Sequence, residues 1–334
     1  MRAIRLHAFG PAENLTYEKV GDPEPDPGQV RIAVSAAGVH LLDTALREGM
    51  QGGPTPVPEL PTIPGREVAG TVESLGEGVG REWLGRRVVA HLGMVPGGYA
   101  ELAVAGVEKL HALPEGLGEA EAVAMIGTGR TTMGILHLAE LHAGDIAIVT
   151  AAAGGIGSLL VQYGRNTGAT VIGLAGGPAK VERVRELGAD LAVDYNAADW
   201  PQRVRAFLGG HRADVLFDSV GGDPGRAAVG LLGRGGRHLV YGWSAGGLLT
   251  GGPLEFADEE LERRGITSRA VLGPAMLERI GGDNPMRTLE ERSLAEAGAG
   301  RLVPAVQRFP MAEAAAAHRA LESRATMGKV VLIP

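Results

Sequence analysis

The stretch that decides the fold is residues 146–157, which read Ile-Ala-Ile-Val-Thr-Ala-Ala-Ala-Gly-Gly-Ile-Gly. Its apolar first half predicts a buried strand, and its glycine-rich second half predicts a turn that opens a helix. Residues 152–157 form a G-x-G-x-x-G variant with Ala152 at the first glycine position. The middle glycine allows close approach to a pyrophosphate, and the last lets the helix pack on the strand. The stretch therefore predicts a dinucleotide phosphate site formed by Ala153, Gly154, Gly155, Ile156 and Gly157.

On the C-terminal side of this stretch, apolar runs alternate with amphipathic ones. The predicted strands are 146–152, 170–174, 191–193, 215–219, 238–241 and 266–272, and the predicted helices between them are 156–167, 178–187, 199–208 and 224–232. Strands that are apolar on both faces and alternate with helices indicate a parallel sheet covered on both sides. We therefore predict a Rossmann α/β domain, a doubly wound parallel sheet, over residues 124–272.

The two flanks of this domain have a different texture. The N-terminal third contains short predicted strands, such as 30–34, 68–75 and 87–91, between Gly- and Pro-rich turns. The C-terminal tail no longer alternates strands with helices regularly, and it contains a predicted helix at 311–322 and a strand at Val330–Ile333. We therefore predict a mostly β domain whose first part is residues 1–123 and whose second part is residues 273–334.

Composition excludes several classes of function. The chain has 334 residues, a net charge of −7 and no dense Lys/Arg stripe, so nucleic acid is not an expected partner. It has no cysteine, which excludes disulfides, thiolate zinc sites, iron–sulfur ligation and a Cys nucleophile. The uncharged stretch 146–164 is long enough to span a membrane, but its glycine centre and Gln162 favour a strand, a turn and a helix. With no signal-peptide pattern at the N-terminus, we expect a cytoplasmic protein without a membrane span.

The end of the second predicted strand indicates which dinucleotide binds. An NAD-preferring site carries Asp or Glu there for the ribose hydroxyls. This chain has Ala175-Gly176-Gly177, with Lys180 just beyond. A missing carboxylate and a nearby cation favour the 2′-phosphate of NADPH.

Several motifs, in order along the whole chain, resemble signatures of one family. They are Ala36–Val39, Pro64–Gly70, Gly97–Glu101, Ala151–Gly157, Asp218–Gly222 and Glu322–Thr326. Together they resemble the zinc-independent quinone oxidoreductase (zeta-crystallin-like) branch of the medium-chain dehydrogenase/reductase superfamily. The resemblance implies that the mostly β part is a GroES-like catalytic domain and that the protein is a homodimer joined through edge strands of its Rossmann sheets.

The resemblance also implies roles for individual residues. Lys180, Tyr195 and Arg324 are expected around the adenosine 2′-phosphate. The other positions expected along the cofactor are Thr131, Gly176, Ser219, Gly242 and Ser244, with Thr131 and Gly242 toward the nicotinamide.

Catalytic zinc is not expected. The zinc-dependent relatives carry Cys at the position of His40 and His at the position of Arg66, and three convergent ligands cannot be assembled here. We expect Glu67 to be a structural carboxylate near Arg66. The branch usually has Asn at position 40 and often Tyr at positions 45 and 51, where this chain has His40, Ala45 and Gln51. Arg130 replaces an apolar residue, and its role is not predicted.

The function implied is hydride transfer from NADPH to a small electrophile, either a quinone or an activated alkene such as an enone. Candidate donors to the developing oxyanion are His40, Thr131 and Tyr241. An enoyl-thioester reductase on the same scaffold and an NADPH-binding structural or sensor protein with little turnover are the alternatives. A zinc alcohol dehydrogenase is disfavoured by the missing ligands.

Overall fold

The computed structural model describes residues 1–51, 57–94, 96–246 and 251–334. The chain divides into two units. Unit 1 comprises Met1–Thr128, Ser293–Gly298 and Pro304–Pro334, and unit 2 comprises Gly129–Arg292 and Ala299–Val303.

Unit 1 is built mainly of strands. They are β1 (Arg2–Leu6), β2 (Leu15–Lys19), β3 (Gln29–Val39), β4 (Glu67–Leu75), β5 (Arg87–His91), β6 (Leu102–Gly106), β7 (Leu110–Ala112), β14 (Val306–Pro310) and β15 (Lys329–Ile333). Its helices are α1 (Leu41–Arg47), α2 (Glu119–Ala124) and α11 (Ala314–Glu322), and a single π-helical turn, Met125–Gly129, follows α2.

The main sheet of unit 1 has the strand order β14-β15-β3-β4-β5-β7, with β6 also pairing with β3, while β1 and β2 form a separate pair. The long strand β3 lies at its centre because Val30, Ile32 and Val34 alternate toward the core, where all three are buried. The predicted strands at 30–34, 68–75, 87–91 and 330–333 are confirmed, and β15 brings the C-terminal tail antiparallel onto β3.

Unit 2 alternates strands and helices. The strands are β8 (Ile146–Val149), β9 (Thr170–Ala175), β10 (Leu191–Asp194), β11 (Ala213–Asp218), β12 (Leu232–Val240) and β13 (Thr267–Ala270). The helices are α3 (Arg130–Ala139), α4 (Gly155–Thr167), α5 (Pro178–Glu186), α6 (Trp200–Leu208), α7 (Gly222–Val229), α8 (Asp258–Arg264), α9 (Pro274–Ile280) and the first part of α10 (Pro285–Gly298).

The sheet of unit 2 is parallel, with the order β10-β9-β8-β11-β12-β13. From β8, the strands β9 and β10 follow outward to one edge of the sheet. From β11, the strands β12 and β13 follow outward to the other edge, so the strand order reverses between β8 and β11. In open α/β sheets, ligands bind outside the carboxyl ends of the strands at such a reversal. The predicted doubly wound parallel sheet is confirmed.

The division of the chain differs from the predicted boundaries in the segment after β13. Residues 273–292, expected in the mostly β domain, lie in unit 2, where α9 packs against α3: a Cβ on Gly134 would lie 2.3 Å from the sulfur of Met276. The helix α10 then enters unit 1, where the hydroxyl of Ser293 donates to the carbonyl of Met125 (2.6 Å). These helices contain Gly and Pro at their starts and a weak apolar period, which is why sequence patterns did not reveal them.

Across the described ranges, no helix combines the length and the apolar character needed to cross a membrane.

Candidate cofactor and active site

Where the turn between β8 and α4 brings the helix closest to the strand, there is no room for a side chain. Ala151 has a left-handed backbone (φ +45°), which is uncommon for a residue other than glycine. A Cβ on Gly157 would lie 2.3 Å from the carbonyl oxygen of Ala151 and 2.8 Å from the Cα of Ala152. Gly157 is therefore required for the helix to pack on the strand, as the motif predicts. The left-handed residue of the turn, Ala151, directly precedes the first position of the motif.

The start of α4 presents donors without protein acceptors. The first helical hydrogen bond runs from the N–H of Ser158 to the carbonyl of Gly154 (2.9 Å). Within the part of the chain that the structure describes, the N–H groups of Gly155, Ile156 and Gly157 have no hydrogen-bond partner. Free amides at the positive end of a helix dipole form an anion site. The turn thus fits a pyrophosphate.

The loops that follow β11 and β12 are joined to each other by main-chain hydrogen bonds. Tyr241 donates to Asp218 (2.8 Å), Ser244 to Ser219 (3.0 Å) and Ala245 to Val220 (2.8 Å). Gly242 lies so close that a Cβ on it would meet the carbonyl oxygen of Ser219 at 3.0 Å. Three predicted cofactor residues, Ser219, Gly242 and Ser244, are therefore brought together at the carboxyl ends of neighbouring strands.

Asp218 anchors these loops from below. Its Oδ1 accepts from the hydroxyl of Thr150 (3.0 Å) and from the N–H groups of Val220 (2.9 Å) and Gly221 (3.1 Å). Its Oδ2 lies 3.3 Å from Nε2 of His238, and both side chains are fully buried. Burial alone would raise the pKa of this carboxyl, but the His238 and amide hydrogen bonds outweigh it and lower the pKa. Asp218 is therefore an ionised acceptor at the base of the loops.

The predicted adenosine end lies beyond β9. The strand ends at Ala175 without an acidic residue, and Tyr195 lies against Gly176, where a Cβ would be 3.1 Å from its hydroxyl. The N–H of Gly177 donates to Oδ1 of Asp194 (3.0 Å), which fixes the turn into α5. Lys180 is half-buried in the first turn of α5.

Arg324 is exposed in unit 1, just after α11, with a left-handed backbone (φ +57°). This conformation ends α11, where the N–H of Ala325 donates to the carbonyl of Ala320 (2.8 Å). Its convergence with Lys180 and Tyr195 on one phosphate stays a prediction.

His40 belongs to a buried charged cluster in unit 1, formed with Glu67 and Lys329. Nε2 of His40 lies 2.5 Å from Oε1 of Glu67 and 2.8 Å from Nζ of Lys329, and Nζ lies 2.8 Å from Oε2 of Glu67. The side chain of Glu67 is fully buried and that of Lys329 is 5% exposed, whereas that of His40 is 27% exposed. Burial alone would raise the pKa of Glu67, but the charges of His40 and Lys329 hold it well below its usual value.

Glu67 is a buried carboxylate whose partners are Lys329 and His40 rather than the neighbouring Arg66. Successive strand residues point to opposite faces of a sheet, so Arg66 and Glu67 diverge where β4 begins. Nη2 of Arg66 instead lies 3.4 Å from Oδ1 of Asp43. Asp43 also accepts from the hydroxyl of Tyr99 (3.0 Å) and from the N–H of His40 (2.8 Å), so it fixes the start of α1.

The remaining candidate donors lie in unit 2. Thr131 is the second residue of α3. Tyr241 directly follows β12, and burial raises the pKa of its hydroxyl. Arg130, for which the sequence predicted no role, pairs with Glu290 (Nη1 to Oε1, 2.9 Å), and both side chains are largely buried.

Comparison with known proteins covers both units. Residues 26–115 match the alcohol dehydrogenase GroES-like domain family, and residues 155–276 match the zinc-binding dehydrogenase family. A 2-haloacrylate reductase of Burkholderia sp is 34% identical, with 99% of this chain and 98% of the relative covered. A quinone oxidoreductase of Pseudomonas aeruginosa is 33% identical, with 100% and 99% covered. The chain belongs to the quinone oxidoreductase family.

A solved structure of Escherichia coli quinone oxidoreductase complexed with NADPH superimposes with a TM-score of 0.83 at 27% identity, with 100% of both chains covered. The quinone oxidoreductase branch and the combination of a Rossmann with a GroES-like domain, both predicted from the sequence, are confirmed. The chain is therefore an oxidoreductase of the medium-chain dehydrogenase/reductase superfamily.

The residues present do not fit a zinc ion, the metal for which the zinc-binding dehydrogenase family is named. Tetrahedral zinc needs three converging protein ligands and an open position. Here the ammonium of Lys329 already lies against both His40 and Glu67, and Arg66 carries a further positive charge. Among the described residues, no group of three or more His, Cys, Asp or Glu side chains is placed to hold a metal ion.

Three buried residues that build the site were not predicted. Asp218 opens a motif quoted for its resemblance, and its place at the end of an apolar strand was the available signal. Lys329, the first residue of the last strand, and Glu290 carry no local signal, because their partners are 289 and 160 residues away.

Proposed function

We propose that this member of the quinone oxidoreductase family uses NADPH to reduce a small electrophilic acceptor, either a quinone or an activated alkene such as an enone. The observation that carries the proposal is the intact dinucleotide cradle: three free amides at the start of α4 above a turn that only Gly157 allows. The carboxyl ends of β8 and β11 place this cradle where open α/β sheets bind ligands.

The cofactor would be held along the strand ends of unit 2. The amides from Ala153 to Gly157 would bind the pyrophosphate, and Lys180, Tyr195 and Arg324 would bind the 2′-phosphate. Thr131, Gly176, Ser219, Gly242 and Ser244 would line the rest of the molecule. NADPH, when bound, supplies the hydride. β9 ends at Ala175 without the acidic residue that an NAD-preferring site carries there, and the nearby Asp194 is held by the N–H of Gly177, which supports NADPH over NADH.

The protein's part is to polarise the acceptor and supply a proton. His40, Thr131 and Tyr241 are the proposed donors, and we favour His40 because its ring is partly exposed while a buried cluster fixes Nε2. The hydroxyl of Tyr241 is buried. It would need to move before it could contact an acceptor, so we propose it only as a second donor.

The names of the relatives support the acceptor class. A 2-haloacrylate is an activated alkene, and a quinone is a conjugated electron-poor ring, so both accept hydride at a carbon conjugated to a carbonyl. An enoyl thioester shares this chemistry and remains the alternative acceptor. We also propose a homodimer, joined through the sheet edge that β13 forms, and a cytoplasmic location.

The test is a panel of quinones, enones, haloacrylates and enoyl thioesters offered with NADPH or NADH, followed by identification of the products. We expect NADPH oxidation matched by one equivalent of reduced quinone or saturated product. Tight NADPH binding without turnover of any acceptor would instead establish a structural or sensor protein. Light scattering at several concentrations tests the homodimer.

The role of His40 has its own variants. If it donates to the developing oxyanion, His40→Ala lowers kcat by roughly ten- to a thousandfold with near-normal NADPH binding. His40→Asn, the residue usual in the family, keeps much of the activity. If His40 is only a core residue, His40→Ala lowers the melting temperature and leaves kcat of the folded fraction unchanged.

A further inference from the structure

Lys329 lies at the centre of a buried cluster for which neither the sequence motifs nor the family resemblance assigns a role. It is the first residue of β15, and its ammonium lies 2.8 Å from both Oε2 of Glu67 and Nε2 of His40. A lysine ammonium has three donors and no acceptor, so it donates to Nε2 of His40 and forms an ion pair with the carboxylate of Glu67. The ammonium thus joins a fully buried carboxylate to the partly exposed imidazole.

The surrounding backbone makes room for this cluster. A Cβ on Gly127 would lie 1.5 Å from Oε1 of Glu67 and 3.3 Å from Nε2 of His40. A Cβ on Gly38 would lie 2.3 Å from Oε2 of Glu67 and 3.1 Å from Cε of Lys329. Two glycines from separate segments, β3 and the π-helical turn, therefore accommodate the same three side chains.

The charges explain why the lysine is needed. A buried carboxylate without a positively charged partner is strongly destabilising. The ammonium of Lys329 is such a partner for Glu67. The imidazole of His40 also lies against Glu67, with Nε2 2.5 Å from Oε1. The orientation of the ring therefore depends on the Glu67–Lys329 pair.

We propose that Lys329 is a positioning residue for the reduction: its ammonium holds the His40 imidazole in the orientation needed for turnover. The proposal rests on the proposed function of His40 as a donor. Lys329 itself does not contact the acceptor.

The test uses two variants that separate charge balance from positioning. Lys329→Met keeps an unbranched chain but removes the charge, and we expect it to be less stable. The double variant Glu67→Gln/Lys329→Met removes the buried pair together, so we expect it to recover most of the melting temperature. If Lys329 positions His40, the double variant binds NADPH with a Kd within threefold of the wild type, yet its kcat is at least tenfold lower.

A spectroscopic readout reports on the ring directly. The ¹⁵N signals of the His40 ring, assigned by their loss in His40→Asn, should shift in the double variant because Nε2 loses its donor. Lys109→Met is the matched control, since it makes the same substitution in unit 1 at a lysine that donates to the carbonyl of Leu92 (2.9 Å). We expect this control to leave kcat and the His40 signals unchanged.

Two outcomes overturn the proposal. One is a double variant with wild-type kcat, which would make the cluster purely structural. The other is a set of His40 ring signals that does not change when Lys329 is replaced. Failure of the proposed function looks different, because the wild-type protein itself would then turn over no quinone or alkene acceptor.

Discussion

Asp218 holds the cofactor loops, and substitutions there should show whether this depends on its acceptor oxygens or on its charge. In Asp218→Ala, the N–H groups of Val220 and Gly221 lose their shared acceptor in a buried position. The hydroxyl of Thr150 is less affected because the carbonyl of Phe217 lies 3.3 Å away. Each buried amide left without an acceptor costs about 1–3 kcal/mol. The variant should therefore lose about 2–6 kcal/mol of unfolding free energy.

The same change should weaken cofactor binding. The loop that Asp218 holds carries Ser219, and it must be ordered whenever the cofactor binds. If the loop is disordered in the free variant, NADPH binding must order it. A cost of about 1.4 kcal/mol for this ordering raises the Kd for NADPH about tenfold. Urea unfolding measures the first effect, and fluorescence titration of NADPH at a temperature where the variant is folded measures the second.

Two further variants show whether the acceptor or the charge matters. Asp218→Asn keeps a carbonyl oxygen for the amides, and its NH₂ can donate to Nε2 of His238 once the ring proton moves to Nδ1, which lies 2.8 Å from the hydroxyl of Ser268. We expect a loss under about 1 kcal/mol. Asp214→Ala, at the other end of β11, removes an acceptor for the N–H of Ile146 in an exposed position and should leave the Kd unchanged. An Asp218→Ala variant with wild-type stability and Kd, or an Asn variant as damaged as the Ala variant, would refute the reasoning.

Three more predictions concern the cofactor, the response to acid and the metal. Lys180→Ala should weaken NADPH binding at least tenfold, since a charge-assisted pair contributes roughly 1.5–3 kcal/mol, and should leave NADH nearly unaffected; equal wild-type affinity for the two cofactors would contradict the assignment. Burial lowers the pKa of His318 to about 4. Because the unfolded chain then binds more protons, stability should fall by about 3 kcal/mol as pH drops from about 6.5 to about 4. His318→Gln should reduce this loss in urea unfolding at the two pH values, and an unchanged acid dependence would exclude the histidine as its source. Purified protein should contain no stoichiometric zinc and keep its activity with chelators, whereas elemental analysis finding about one zinc per chain would overturn this.

Local patterns in the sequence were sufficient for the architecture. The alternation of apolar strands with helices from residue 146 onward predicts a parallel sheet, because only a sheet covered on both faces needs strands that are apolar on both sides. The glycine spacing from residue 154 to 157 predicts the phosphate turn, because the space between helix and strand is a local property. The absence of an acidic residue directly after Ala175 predicts NADPH as the preferred cofactor, because it also depends only on neighbouring residues in the chain.

Tertiary structure alone decided which charges meet. Glu67 is adjacent to Arg66 in the chain but pairs with Lys329, because neighbouring strand residues face opposite sides and β15 returns the tail to β3. Arg130 likewise finds Glu290 only when α10 folds back. Periodicity reports which face of an element is buried, whereas a buried ion pair depends on which distant elements become neighbours. The sequence therefore determined the scaffold and the cofactor cradle, and the fold determined the charged cluster that holds His40.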